Sequence, residues 1–194
     1  MVVGLMAVPI HVVNDTVRIC STGGVFVNSI RGYSNDVSIA ESAASASAFV
    51  GGGANQSALG NHSVIGGGSE NNIDASSAYG VVVGGIQNTA AGSALAAIVG
   101  GGSNIASGYA SFVGGGGVDL DLDGPGGNVA SAAWTVVSGG NLNSAAETFA
   151  TVCGGKSNAA RGFSSVVGGG ENNTASGMFV AYVHACTCKK CMWW

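Results

Sequence analysis

Charge is what this chain has least of. Only 8% of its residues are Asp, Glu, Lys or Arg, and the formal net charge is −4. The six Lys and Arg are scattered rather than gathered into a stripe. That argues against nucleic acid, whose phosphates are met by clustered basic groups. Proline is nearly missing, at 2 of 194 residues, and Gly does not fall at every third position, so a collagen helix is excluded. No apolar run approaches the ~20 residues that cross a bilayer as a helix. No Gly-x-Ser-x-Gly, His-Glu-x-x-His or phosphate-loop sequence occurs, and His11, His62 and His184 stand apart from any Ser and carboxylate pattern. These absences point away from an enzyme. The apolar opening segment, residues 1–13, has no basic flank, so it reads as a terminal strand or docking tail rather than a signal peptide.

Glycine is abundant, at 35 of 194 residues, and hydrophobic residues reach 46%, much of it Ala and Val. Low charge with regularly placed Val and Ile is the opposite of a disordered composition. The regularity is a repeat. The phrase Val-x-Gly-Gly-(Gly)-x-x-Asn-x-Ala-x-Gly returns along the chain, anchored at Asn55, Asn72, Asn88, Asn104, Asn128, Asn143, Asn158 and Asn173. Apart from the Asn104-to-Asn128 gap, anchors lie fifteen to seventeen residues apart. At that period each unit buries its apolar side only against the next, which builds a rod.

One clean unit shows the winding. Asn104-Ile-Ala-Ser is followed by Gly108, and Tyr109-Ala-Ser-Phe-Val by Gly114–Gly117. Strand, Gly corner, strand, Gly corner is one coil of a β-solenoid. A helix does not fit, since each Gly costs about 1 kcal/mol in a helix interior. The expected fold is therefore all-β: a parallel β-solenoid of about eight short coils, wound or packed as a homotrimer. The division is 1–45 as an attachment or initiation region, 46–183 as the solenoid with an excursion at 117–127, and 184–194 as a Cys/Trp-rich cap.

Two columns follow from stacking at about 4.8 Å per coil. An apolar column takes Val50, Ile65, Val83, Val99, Val113, Val137, either Val152 or Cys153, and Val167. The asparagines form a second column, either passing amide hydrogen bonds from coil to coil or simply filling turns that accept left-handed backbone. A fifteen-residue coil of Ala, Ser and Val encloses little apolar area. Association of three copies would add burial, and would also explain a surface so poor in charge.

The phrase Ser-x-Val-x-Gly-Gly-x-x-Asn-x-Ala-x-Gly resembles repeats in the head domains of trimeric autotransporter adhesins. It is closer still to Gly-Gly-Gly-x-x-Asn-x-Ala-Ser-Gly arrays of viral and phage fibre-like proteins. The best matching stretches are Val99–Gly108, Val167–Gly177 and Val83–Gly92. The resemblance covers about two-thirds of the chain. It implies a parallel β-roll or β-helix wound as three chains, with a structural or adhesive role. No coiled-coil stalk or membrane-anchor sequence accompanies the repeats, which favours the viral comparison over the bacterial one.

Two clusters interrupt the pattern. Asp119, Asp121 and Asp123 begin a calcium-like loop, but the twelfth position is Ala130 instead of Glu; the other reading is an excursion strand with its Asp side chains outward. His184, Cys186, Cys188 and Cys191 have zinc-ligand chemistry. Disulfides or reduced thiols packed against a partner are the alternatives. Apart from Zn or Ca at these clusters, no cofactor is expected. Met192, Trp193 and Trp194 make an apolar tip that caps or docks the rod.

The expected function is a non-enzymatic fibre or spike component at a virion or cell surface. Its expected partners are copies of itself and capsid or surface proteins at one end, with no nucleic acid and no membrane span. One alternative is an adhesin that binds host glycan or protein through an exposed column containing Ser93, Tyr109, Trp134, Phe149, Phe163 and Phe179. A minor alternative is an ice-binding solenoid, which needs a regular Thr or Ser rank.

Overall fold

The computed structural model describes residues 48–117 and 126–179, together with the backbone of short strands Ile10–Val13, Thr16–Ile19, Ile30–Gly32, Asn35–Val37 and Ala181–Tyr182. No helix occurs among the described residues. The repeat region is a parallel β-solenoid, as the period requires. Each coil carries two strands of two residues, which stack into an eight-stranded and a nine-stranded parallel sheet. The first sheet runs from Ser57–Ala58 to Thr174–Ala175, and the second from Phe49–Val50 to Ala181–Tyr182. A third row of single parallel bridges, such as Ser69 to Ile86 and Lys156 to Glu171, ties a further side of the coil. Before the solenoid, Ile10–Val13 pairs antiparallel with Thr16–Ile19, and Ile30–Gly32 with Asn35–Val37.

Alternation within each strand decides what is buried. In Phe112–Val113 the first side chain is the more exposed and the second faces in, and the same order repeats through the two-residue strands from Phe49–Val50 to Thr174–Ala175, with Ala159 alone buried at the first place. The core is therefore two columns. One is Ala58, Ile73, Ala90, Ala106, Ala130, Ala145, Ala160 and Ala175; the other is Ile65, Val82, Ile98, Val113, Val137, Val152 and Val167. Val50 packs partly buried at the base of the second. Small residues in one column leave room for branched ones in the other, so both fit inside a narrow coil.

This register corrects four expected positions, Val83, Val99, Asn55 and Asn72, and decides between Val152 and Cys153. Val83 and Val99 are 54% and 46% exposed, and Val82 and Ile98 take their places inside. Likewise Val152 is buried and Cys153 is exposed. In each case adjacent residues of similar size compete, and strand pairing settles which one faces in: Val82 pairs with Ile65 and Ile98. Asn55 and Asn72 are also displaced by one, for reasons given below. The apolar column lies inside each coil's own interior, so it is not the face a neighbouring copy can share.

Glycine is required most clearly at the second corner. Gly101 has φ 80°, and an added Cβ would strike the carbonyl oxygen of Gly116 in the next coil. Backbones meet there without side chains, as they do at Gly85 and Gly155. The excursion residues Asp119, Asp121 and Asp123 lie outside the described residues, as do His184, Cys186, Cys188, Cys191 and the Trp193–Trp194 tip.

Gly101→Ala is expected to destabilise the fold by about 3 kcal/mol or more, because left-handed strain and a backbone collision combine. Urea unfolding of wild type and variant measures it. A loss under about 1 kcal/mol, the size of an ordinary surface change, would contradict the close approach.

Candidate functional site

Two features run the length of the rod, one buried and one exposed. The buried one is a ladder of amides. Asn104 donates its backbone N–H to Asn88 Oδ1 at 3.1 Å, and Asn104 Oδ1 accepts from the Asn128 N–H at 2.9 Å. Asn104 Nδ2 donates to the carbonyls of Gly100 at 2.9 Å and Gly116 at 3.0 Å. The pattern repeats through Asn143, Asn158 and Asn173 at spacings of 15 residues. Each amide thus satisfies a glycine carbonyl in its own coil and hands its oxygen to the coil above. Since a net hydrogen bond is worth about 1 kcal/mol, a rung contributes roughly 2–4 kcal/mol.

The asparagines are therefore ladder members, and except at Asn128, which follows Gly127, the turn is made by the residue before each one. Glu70, Gln87, Ser103, Leu142, Ser157 and Asn172 all have φ between 55° and 58°. This explains the remaining corrections. Asn55, with φ 54°, is the turn residue of its coil, and Gln56 holds the buried position. Asn71 holds the next, while Asn72 begins a strand with its side chain outward. Gln56 Oε1 accepts from the Asn71 N–H at 3.0 Å, and its Nε2 is buried without a hydrogen bond. One extra methylene reaches the ladder with one end of the amide and misses with the other.

The exposed feature is a ridge at the corner leading into the second sheet. His62 stacks on Tyr79 with ring centroids 5.1 Å apart. After Leu95 the ridge continues through Tyr109, Trp134, Phe149, Phe163 and Phe179, with successive centroids 5.0 to 5.7 Å apart. Trp134 remains 48% exposed and Phe149 46%. Five of these rings, on His62, Tyr79, Trp134, Phe149 and Phe179, sit on left-handed backbone with φ from 54° to 61°. Bulky side chains rarely occupy that region, where the strain is about 1 kcal/mol each. Ring stacking of about 0.5–1.5 kcal/mol per pair offsets it. The hydrogen bonds that the Tyr79, Trp134, Phe149 and Phe179 N–H groups donate to the coil below help too, as from Trp134 to Tyr109 at 2.8 Å.

Beside the ridge, the second sheet turns an apolar column outward: Phe49, Val64, Val81, Ala97, Phe112, Val136, Thr151 and Val166. The outward residues of the first sheet are more polar: Ser57, Asn72, Thr89, Ile105, Val129, Ser144, Ala159 and Thr174. The hydroxyls of that rank are broken by Asn72, Ile105, Val129 and Ala159.

Of the residues expected in an exposed column, Tyr109, Trp134, Phe149, Phe163 and Phe179 do come together, while Leu95 takes the ridge place instead of Ser93. Sequence reading missed His62, Tyr79 and Leu95. Each lies two residues before an outward strand residue, a spacing that marks the ridge once the register is known. Among the described residues, no three His, Cys, Asp or Glu gather as metal ligands would. No helix among them is long and apolar enough to cross a membrane. No protein-family model matches the chain, and no curated protein matches it.

Asn143→Ala is expected to lose about 2–4 kcal/mol, since it removes the amide and leaves the Asn158 N–H without its acceptor. Asn143→Asp is expected to cost more at pH 7, where a carboxylate oxygen would face the Gly139 and Gly155 carbonyls. Those carbonyls raise the carboxyl's folded-state pKa, so stability returns as pH falls to about 4 and below, where the acid is protonated. Urea unfolding at the two pH values checks the order; an Asp variant as stable as wild type at pH 7 would refute the donor assignment.

Proposed function

We propose that this chain is a non-enzymatic structural rod, a fibre or spike component at the surface of a virion or a cell, assembled as a homotrimer. One observation carries the reading: the two sheets of the solenoid differ in what they turn outward. The first offers mainly Ser, Thr and Asn in its rank, and the second offers Val, Ala and Phe. An isolated rod in water has no reason for such a difference, whereas a rod with copies along one side needs it. The interior supports the same view, since its side chains are committed to coil-on-coil stacking and amide hydrogen bonds.

Stacked coils at about 4.8 Å give a stiff body roughly 35 Å long over the described repeats. Load along such a body is carried by parallel hydrogen bonds across many rungs, which suits a spacer that holds one end away from a surface. The regions before and after the repeats would join it to capsid or surface proteins.

Native mass spectrometry tests the assembly directly. The expected species is a threefold multiple of the 18.8 kDa chain. A folded, β-rich protein that stays a monomer at micromolar concentration would remove the trimer from this proposal.

A further inference from the structure

We propose that the ridge, with the outward column of the second sheet beside it, is the surface on which a second copy of this chain docks, ridge against the glycine corner of its neighbour. This rests on the reading of the rod as an assembly of copies, and names the surface that makes it.

The surface is continuous. Trp134, Val136 and Ser138 face out from one coil, alternating with buried Thr135 and Val137; Phe149, Thr151 and Cys153 do the same in the next. None of the described Asp, Glu, Lys or Arg residues falls on these columns: Glu70, Asp74, Glu147, Lys156, Arg161 and Glu171 all lie elsewhere on the coil. From ridge to glycine corner spans four residues, about 13 Å, and eight rungs run about 34 Å. That is roughly 440 Å² of flat area before side-chain relief, on the order of the 500 Å² per partner that a specific interface needs.

The partner must match a ridge that repeats once per coil. A second copy has that pitch by construction, whereas a globular partner meets only a few rungs. A glycan is a poorer fit. Most neighbouring rings are turned edge to face, at 78°, 90° and 82°, so the ridge presents no flat platform for sugar rings.

The opposite edge of the same face supplies the receiving groove. Gly67, Gly84, Gly100 and Gly139 open the second corner in four of the coils, and Gly52, Gly115, Gly154 and Gly169 hold the same place in the other four with φ of 147° to 157°. The φ values of the first set lie outside the left-handed range. A Cβ built on Gly100 meets nothing within 4 Å, and on Gly67, Gly84 and Gly139 only a carbonyl oxygen at 3.8 Å. At Gly67, Gly84, Gly100 and Gly139 the fold of a single chain does not require glycine. Close approach of a neighbour's rings does. With ridge and groove on opposite edges of one face, a parallel neighbour meets the ridge with its groove, either reciprocally in a closed pair or, where each copy gives its ridge to one neighbour and its groove to another, in a ring of three.

The test uses the full chain and three variants: Val136→Glu on the face, Gly100→Leu in the groove, and Ser144→Glu on the outward side of the first sheet. Native mass and circular dichroism are recorded for each. The expected result is that the first two shift the assembly to monomer at least tenfold in dissociation constant, while Ser144→Glu stays assembled. Should the shifted variants also lose β structure, Trp134 accessibility decides. In a Trp193→Phe/Trp194→Phe background, acrylamide quenching is expected to fall at least threefold between dilute monomer and assembled protein. An oligomer whose mass survives both face variants, or whose Trp134 is quenched as readily as in the monomer, overturns the surface while leaving the trimer standing. A dimer dissolved by both variants supports the surface and removes the trimer instead. Glycan binding by the intact assembly that is lost in Trp134→Ser overturns the proposal, because the ridge would then be open.

Discussion

The register of coil upon coil, held by the buried amide, is the constraint on which the rest of the structure depends. A strand of two residues has almost no pairing energy with which to resist a slip. A slip by one residue would turn every inward Val or Ala outward. The amide prevents this because its groups have fixed directions. Asn104 needs a carbonyl on each side for its nitrogen and a backbone N–H above for its oxygen, and only one vertical position supplies all three. Apolar burial supplies the drive to stack, while the amide supplies the uniqueness. Corners follow from that choice. A carbonyl can reach the amide only if the glycines beside it bring their backbones close, so the glycines at the corner and the asparagine after it act as one device.

Much of this was legible in the residues, and the failures share a cause. The period, the paired Gly corners and the low charge specify a parallel solenoid, and the two strands of the Asn104 unit fall at Ile105–Ala106 and Phe112–Val113 within the segments expected. What failed was the last residue of register. It failed where two chemically similar neighbours stood side by side: Asn71 and Asn72, Val82 and Val83, Ile98 and Val99. Composition cannot separate such pairs, since either member satisfies the hydrophobic or amide pattern. Hydrogen-bond satisfaction can, because in every coil but that of Asn128 the residue before the ladder amide takes left-handed backbone, and the residue two after it is small or branched and apolar. Gln56 departs from the rule in residue type yet holds the place, and its unpaired nitrogen shows why asparagine is used elsewhere.

The ridge was partly visible for a different reason. Aromatic residues stand out in a chain where Phe, Trp and Tyr make up only 7% of residues. Their number was readable, and their alignment was not, because they occupy either of two adjacent corner positions. Tyr109 and Phe163 stand one place earlier in their coils than Trp134 and Phe149. Side-chain length absorbs that offset, so the rings still meet at 5.0 to 5.7 Å. A ladder of rings tolerates a shift that a ladder of amides does not, since stacking is weakly directional beside a hydrogen bond.

That difference in tolerance separates what the fold requires from what the surface offers. Inside, the amide and the branched apolar column admit few substitutes, and the chain keeps them nearly uniform. Outside, the ridge admits His62, Leu95 and several aromatics at one structural place, which is the behaviour of a contact defined by shape and apolarity. Yet bulky rings are kept there on backbone that Asn or Gly would occupy with less strain. Stacking within one chain repays about the strain it causes, which leaves the half-exposed ring surface without a use in the isolated coil. The proposed docking along a neighbour of equal pitch would give both the strain and the exposure a use.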